Sequence, residues 1–285
     1  MSGLSFGLMA VLARRASRLP GSFTAGHLSV VRFAVGALAS LVLFRLRPGT
    51  YRPRNGRLLL ARGVSGGLVV VFYFFALARI PAGQAGLLYN LFPVIATLMS
   101  IFALGERPTA HLLLGLVLAT SGVALALGGG FPVRPGVGTL SALGAAVFAA
   151  ASANVMRAMR GTENAPTIFF FFCLVGLPVV LPFAFDPWPA SPAAWGLGLL
   201  VGLAAFAAQL LMADAYGDLS VSEAAAWLQL TPVAQVLLAW PLLDERPTAS
   251  GFLGVVLAAV GVGIAAVLGR RAPRARELSG LTPPP

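Results

Sequence analysis

The sequence predicts an all-α polytopic membrane protein of ten transmembrane helices, arranged as two inverted five-helix repeats. Three observations predict it. The 285-residue chain is 58% hydrophobic by residue type and only 10% charged, far below the roughly 25% charged residues of a soluble globular protein. Its apolar runs are long enough, at roughly 20 residues per bilayer crossing, to supply many spans. Residues 83–127 also align without gaps on residues 222–266, an offset of 139 positions with 19 identities in 45.

Apolar runs cut by Arg, Pro and acidic clusters place the spans, in order, near 3–19, 25–45, 58–79, 83–104, 109–128, 136–158, 165–185, 191–213, 220–243 and 248–269. Arg14 and Arg15 interrupt the first. No positive charge precedes its stretch Leu4–Leu12, which argues against a cleaved signal peptide. The second and third flank an Arg-rich connection carrying Arg45, Arg47, Arg52, Arg54 and Arg57. The fourth and ninth carry the repeat's prolines, Pro93 and Pro232. The fifth and tenth carry its paired glycines, Gly115 with Gly254 and Gly122 with Gly261, and small residues let membrane helices approach closely. The seventh is Phe-rich and holds the lone Cys173. Ten spans use about 200 residues, so no loop is left to house a soluble catalytic domain.

The repeat carries most of the topology. Glu106-Arg107-Pro108-Thr109-Ala110 recurs intact as Glu245-Arg246-Pro247-Thr248-Ala249, and a polar run at a fixed offset is not a by-product of apolar composition. The units are residues 1–130 and 136–270, followed by a cytoplasmic tail, 271–285. Each unit holds five spans, an odd number, so the second enters the membrane in the opposite sense to the first. Inverted repeats are characteristic of secondary transporters that alternate access around a site between the halves. With both termini cytoplasmic, thirteen arginines fall inside and six outside, Arg62 being counted with the inside set. That bias is how a bacterial inner-membrane protein is oriented.

Charge also excludes functions. All 20 basic residues are arginine, so there is no lysine for a Walker A phosphate loop or for a Schiff base. A net charge of +11 can signal nucleic acid, but these arginines sit at span ends and in the tail, so no nucleic-acid partner is expected. One cysteine permits no intramolecular disulfide, and His27 and His111 alone make no zinc site. No cofactor is expected; the partners are the bilayer and a small solute, and the oligomeric state a monomer or weak dimer.

Polar side chains inside a span are costly and face a bundle interior or cavity. In the fourth span Tyr89, Asn90, Pro93, Thr97 and Ser100 share one arc of about 100°; in the ninth, Gln229, Pro232 and Gln235 do the same. Asn90 and Gln229 are repeat equivalents. Gln209, Met212 and Tyr216 share a face of the eighth span, Tyr73 faces inward from the third, and Trp227 opens the ninth. The expected solute-binding set is Tyr73, Tyr89, Asn90, Gln209, Trp227, Gln229 and Gln235. Aromatic walls with a few amides suit an amphipathic solute better than a strongly charged one. The alternative is helix–helix hydrogen bonding around proline kinks. Glu223, repeat partner of Gln84, is a possible proton-coupling group, although capping of the helix N-terminus is the stronger reading of a carboxylate there. A remote enzyme reading exists: Gly63-Val64-Ser65-Gly66 resembles the motif of intramembrane serine proteases, and Ser65 would need His27 or His111 as its base.

The pattern of Ala76-Leu77, Pro93-Val94, Gly105-Glu106-Arg107-Pro108-Thr109, Gly115 and Gly122, repeated as Pro232-Val233, Asp244-Glu245-Arg246-Pro247-Thr248, Gly254 and Gly261, resembles the EamA-type domain of the drug/metabolite transporter superfamily. Arg32 resembles an arginine such domains often carry early in their second helix. The resemblance covers nearly the whole chain as two tandem domains. It implies ten helices, no enzymatic activity, and export or exchange of small metabolites. Within the superfamily the chain is most similar to the YddG-type amino-acid exporters, which implies amino acids, aromatic ones included. Multidrug or other metabolite export is the alternative the superfamily offers.

Overall fold

The structure, a computed structural model, describes residues 1–17, 23–77, 79–80, 88–126, 136–244 and 248–268. Eleven α-helices are described there: α1 (Ser2–Ser17), α2 (Ala25–Leu46), α3 (Gly56–Leu77), α4 (Phe92–Ala103), α5 (Ala110–Ala126), α6 (Val137–Met159), α7 (Ala165–Val180), α8 (Pro192–Asp218), α9 (Val221–Leu228), α10 (Leu230–Leu243) and α11 (Ala249–Leu268). No strand occurs among the described residues. The stretches Gly26–Leu46, Gly56–Tyr73, Val137–Met159, Ala165–Phe183 and Pro192–Asp218 are long and apolar enough to cross a bilayer. The fold is an all-helical, multi-pass membrane fold.

Local chemistry sets the helix ends. The Thr24 hydroxyl accepts the His27 N–H, while the Thr24 N–H donates back to His27 Nδ1, both at 3.3 Å. This reciprocal cap satisfies two donors at the start of α2. Asn164 accepts the Thr167 N–H at 3.0 Å and so starts α7. Gly105 and Asp244, 139 residues apart, both hold positive φ, 66° and 55°. These equivalent turns end α4 and α10 in the left-handed conformation that glycine adopts freely and aspartate tolerates.

The ninth predicted span is two helices. α9 ends at Leu228 and α10 starts at Leu230, with Gln229 in the turn between them. Pro232 lacks the N–H that would bond the Leu228 carbonyl, and removal of that bond favours a break there. The fourth span is interrupted at its equivalent place: Asn90 and Leu91 form a turn before α4, with Pro93 in its first turn. The expectation that the eighth span ends at 213 falls short, since α8 continues to Asp218 and carries Tyr216 on helix.

Small residues decide which helices touch. α5 and α11 cross antiparallel: a Cβ added at Gly115 would lie 2.5 Å from the Gly261 carbonyl oxygen, and one at Gly122 would lie 2.6 Å from that of Gly254. Only hydrogen at these positions permits such backbone approach. α1 is part of the bundle, packed between α8 and α10, with the Ser2 hydroxyl donating to the Ala208 carbonyl at 2.9 Å.

At one end of the bundle four connections interlock. Glu163 is buried, and one carboxylate oxygen accepts the Arg54 and Asn55 N–H groups at 2.7 and 2.5 Å, capping α3. Glu106 reaches across to cap α9, accepting the Val221 N–H at 3.0 Å. It also pairs with Arg157 Nε at 3.8 Å. Arg107, adjacent to it in sequence, is exposed. Arg157 donates to the carbonyls of Tyr216 and Gly217 at 2.9 and 3.0 Å, and Arg160 pairs with Asp214 at 3.2 Å.

Candidate functional site

A cavity of about 630 Å³ lies at the centre of the bundle, lined from α1, α2, α3, α6, α7, α8 and both helix breaks. Its size falls within the roughly 300–1,000 Å³ of small-molecule sites. The breaks matter because interrupted helices at mid-membrane are where transporters hold solutes. Tyr89, Asn90 and Phe92 reach the cavity from the first break, and Leu228 and Thr231 flank the second.

Of the seven expected residues, the structure brings four together: Tyr73, Tyr89, Asn90 and Gln209 line the cavity. The rings of Tyr73 and Tyr89 lie 5.2 Å apart and those of Tyr89 and Phe92 5.5 Å apart, a continuous aromatic wall. Gln229 is elsewhere. It is 1% exposed and donates its amide to Thr120 Oγ1 at 2.9 Å, tying the break to α5. The turn at Gln229 takes it off the arc drawn for a continuous helix. Trp227 is 38% exposed on the outer surface and is not among the cavity residues. The side chain of Gln235 lies outside the described residues. Thr97 and Ser100, also placed on the polar stripe, bond their own helix, donating to the carbonyls of Pro93 and Thr97. Asn154 donates to the Ala96 and Ala150 carbonyls at 3.1 and 3.0 Å, so it serves packing between α4 and α6.

Glu223 stands in a reciprocal cap with Ser220: the Ser220 hydroxyl accepts the Glu223 N–H at 3.2 Å, and the carboxylate accepts the Ser220 N–H at 3.0 Å. It is not among the cavity residues. The serine-nucleophile geometry is not assembled. Ser65 Oγ donates to the Arg62 carbonyl at 3.2 Å, while the His27 ring lies between the Thr24 N–H and the Asp186 carbonyl.

The residue that sequence reasoning missed is Arg62. Counted as a loop charge, it sits in the second turn of α3 and faces the cavity at 4% exposure. Its guanidinium donates to Ser152 Oγ at 2.5 Å and to Gln209 Oε1 at 3.3 Å, and lies over the Phe172 ring at 4.2 Å from the centroid. Nε has no partner, and neither does the buried Tyr216 hydroxyl, also at the cavity wall. Arg32, from α2, lines the cavity with its guanidinium 5.1 Å from the Phe33 centroid. Phe33 and Phe172 meet edge-on at 5.0 Å, so the two cations flank one aromatic pair. No Asp or Glu is among the described lining residues. The aromatic walls and amides read from the sequence are thus joined by two cations. The missing signal was register: an arginine four residues into an apolar run reads as a boundary until the helix start is known.

Burial grades along the cavity. Arg62, Gln209 and Tyr216 are buried near the interlocked connections, whereas Tyr73, Tyr89, Asn90 and Arg32 are half-buried.

Residues 1–128 and 136–267 each match the EamA-like transporter family. The chain is 31% identical over 267 residues to the pseudopaline exporter CntI of Pseudomonas aeruginosa, covering 91% of each chain. It is 27% identical over 212 residues to the aromatic amino acid exporter YddG of Ancylobacter novellus, covering 70% of this chain and 72% of that one. A crystal structure superposes with a TM-score of 0.81 over 95% of this chain and 96% of that one at 21% identity, a likeness of fold.

Proposed function

This chain belongs to the EamA-like transporter family, and we propose that it is a secondary exporter of small amphipathic metabolites of the amino-acid class, working by alternating access around the central cavity. The single observation that carries this reading is the composition of the cavity wall across the repeat offset. Residues 10 and 149, 13 and 152, 62 and 201, 70 and 209, 73 and 212, 89 and 228, and 92 and 231 all line it, and each pair is 139 positions apart. Two units of opposite sense, 1–130 and 136–270, that enclose one site from pseudo-equivalent positions are the architecture in which rocking exposes a fixed site to either side. Tyr73, Tyr89, Asn90 and Gln209 hold the solute, with the tyrosine wall supplying apolar contact and the amides orienting its polar groups.

In this reading ten spans cross a bacterial inner membrane with both termini cytoplasmic. The Arg-rich connection between α2 and α3 then lies inside, and the Glu106–Arg157 interlock is the cytoplasmic closure of an outward-facing state. The exporter names of CntI and YddG support the direction and the amino-acid class.

Reconstitution in liposomes tests it. Counterflow of labelled amino acids, with and without a pH gradient, is expected to show saturable exchange. Absence of movement for every amino acid tried overturns the amino-acid assignment. Exchange that ignores the gradient removes Glu223 from any obligatory proton role, in keeping with its capping geometry.

A further inference from the structure

The cavity carries two guanidinium groups and, among its described lining residues, no carboxylate. That balance needs an explanation. Leaving a buried charge without a counter-ion costs several kcal/mol, and membrane proteins retain such groups where function uses them. Arg62 is only partly satisfied, by two neutral oxygens and a ring face, and its Nε is unpartnered. No acid pairs with it or with Arg32 among the described residues. The cations also repel each other, and Tyr89 lies within electrostatic reach of both.

Their placement is specific. Arg32 comes from α2 and Arg62 from α3, and each guanidinium lies against one ring of the Phe33–Phe172 pair, whose centroids are 5.0 Å apart. Both cations therefore stand in the wall of one cavity. Two cations without a lining carboxylate call for two negative charges from the solute. A zwitterionic amino acid, in addition, brings an ammonium group to a cavity whose described wall offers it no anion.

We propose that Arg32 and Arg62 form a two-point anion site, and that the preferred solute is an amino-acid derivative with at least two separated carboxylates. This rests on the exporter reading and narrows its substrate class. Arg62 is the specificity-determining residue: Ser152 and Gln209 aim its fork, and planar guanidinium–carboxylate pairing supplies geometry as well as charge.

Binding to the purified, detergent-solubilised full chain is measured with phenylalanine, glutamate and γ-glutamylglutamate, which carry one, two and three carboxylates, and with O-phosphoserine as the phosphate arm. Wild type is expected to bind the two- and three-carboxylate probes about tenfold or more tighter than phenylalanine, the scale of a charged hydrogen-bonded contact. R62Q and R32Q each lose that advantage, so that the ratio of multi-carboxylate to phenylalanine affinity falls toward one. R62K, which keeps the charge and loses the fork, falls between, and a single gel-filtration peak certifies each variant as folded. Equal binding of all probes by wild type, or an unchanged ratio in folded R62Q, overturns the proposal. So does O-phosphoserine outbinding every carboxylate. Failure of the exporter reading looks different: multi-carboxylate probes bind but do not cross the liposome membrane, and the two-point site stands.

Discussion

Where the two repeats touch each other at the α5–α11 crossing they are alike, and where they face the cavity most of their paired residues differ. At the α5–α11 crossing, Gly115 matches Gly254 and Gly122 matches Gly261, and each glycine lies against the other repeat's backbone. Around the cavity the same offset pairs Arg62 with Val201, Val70 with Gln209, Tyr73 with Met212 and Tyr89 with Leu228. A pseudo-twofold contact places the same steric demand on both partners, so one residue type answers it twice. A solute without twofold symmetry places different demands on the two walls. Both cavity arginines come from the first repeat, so the halves share a frame and divide the chemistry.

The largest expected effect breaks the symmetric region. Gly122→Leu and Gly261→Leu each put a side chain where the partner backbone already stands, with neighbouring atoms under 3 Å from the first added carbon. Backbone cannot move aside as a side-chain end can. Each variant is expected to lose at least about 1–3 kcal/mol, read as a fall in Tm or in the folded fraction from detergent. The comparison requires the two losses to match, because each glycine faces the equivalent surface of the other repeat. One tolerated and one lethal substitution would show that the crossing is not symmetric.

An intermediate effect tests the asymmetric region. Tyr89→Ala removes a ring in contact with both Tyr73 and Phe92, while Leu228→Ala trims its repeat equivalent. Loss of a buried aromatic anchor is of order 1.4 kcal/mol or more, so Tyr89→Ala is expected to raise the transport KM about tenfold. Leu228→Ala is expected to stay within about twofold. Equal losses at both positions would mean that the walls share the solute evenly.

How far the sequence reveals this division depends on what each feature needs. Helix positions follow from apolar runs, because a bilayer demands length and hydrophobicity of each span. That α5 and α11 each pack closely on a neighbour follows from glycine spacing, because close approach requires those residues, while their pairing with each other does not. Tyr73, Tyr89, Asn90 and Gln209 follow from helical periodicity. Arg62 does not, since its role depends on α3 starting at Gly56, six residues before it, and on Ser152 and Gln209 from distant helices. Gln229 fails for a related reason. An arc drawn on a continuous helix assigns it to the cavity, and the break at that residue turns it toward Thr120.

The smallest effect separates two equivalent amides. Gln229 and Asn90 occupy the same place in the two repeats, yet Gln229 is fastened to α5 through Thr120 while Asn90 lines the cavity. An interhelical hydrogen bond in a membrane protein contributes about 0.6 kcal/mol on average and up to about 1.7. Gln229→Ala is therefore expected to lower Tm by a few degrees, about 2–4 °C per kcal/mol, and to leave KM unchanged. Asn90→Ala is expected to shift KM by a few fold. The readouts are independent, so the pair decides between two meanings of the matched amides. If Gln229→Ala moves KM and spares Tm, the second break is a solute contact like the first, and the walls are more alike than the structure makes them. If it moves Tm alone, the amide at the second break holds the frame while the amide at the first reads the solute, and the asymmetry extends to the most closely matched polar pair in the chain.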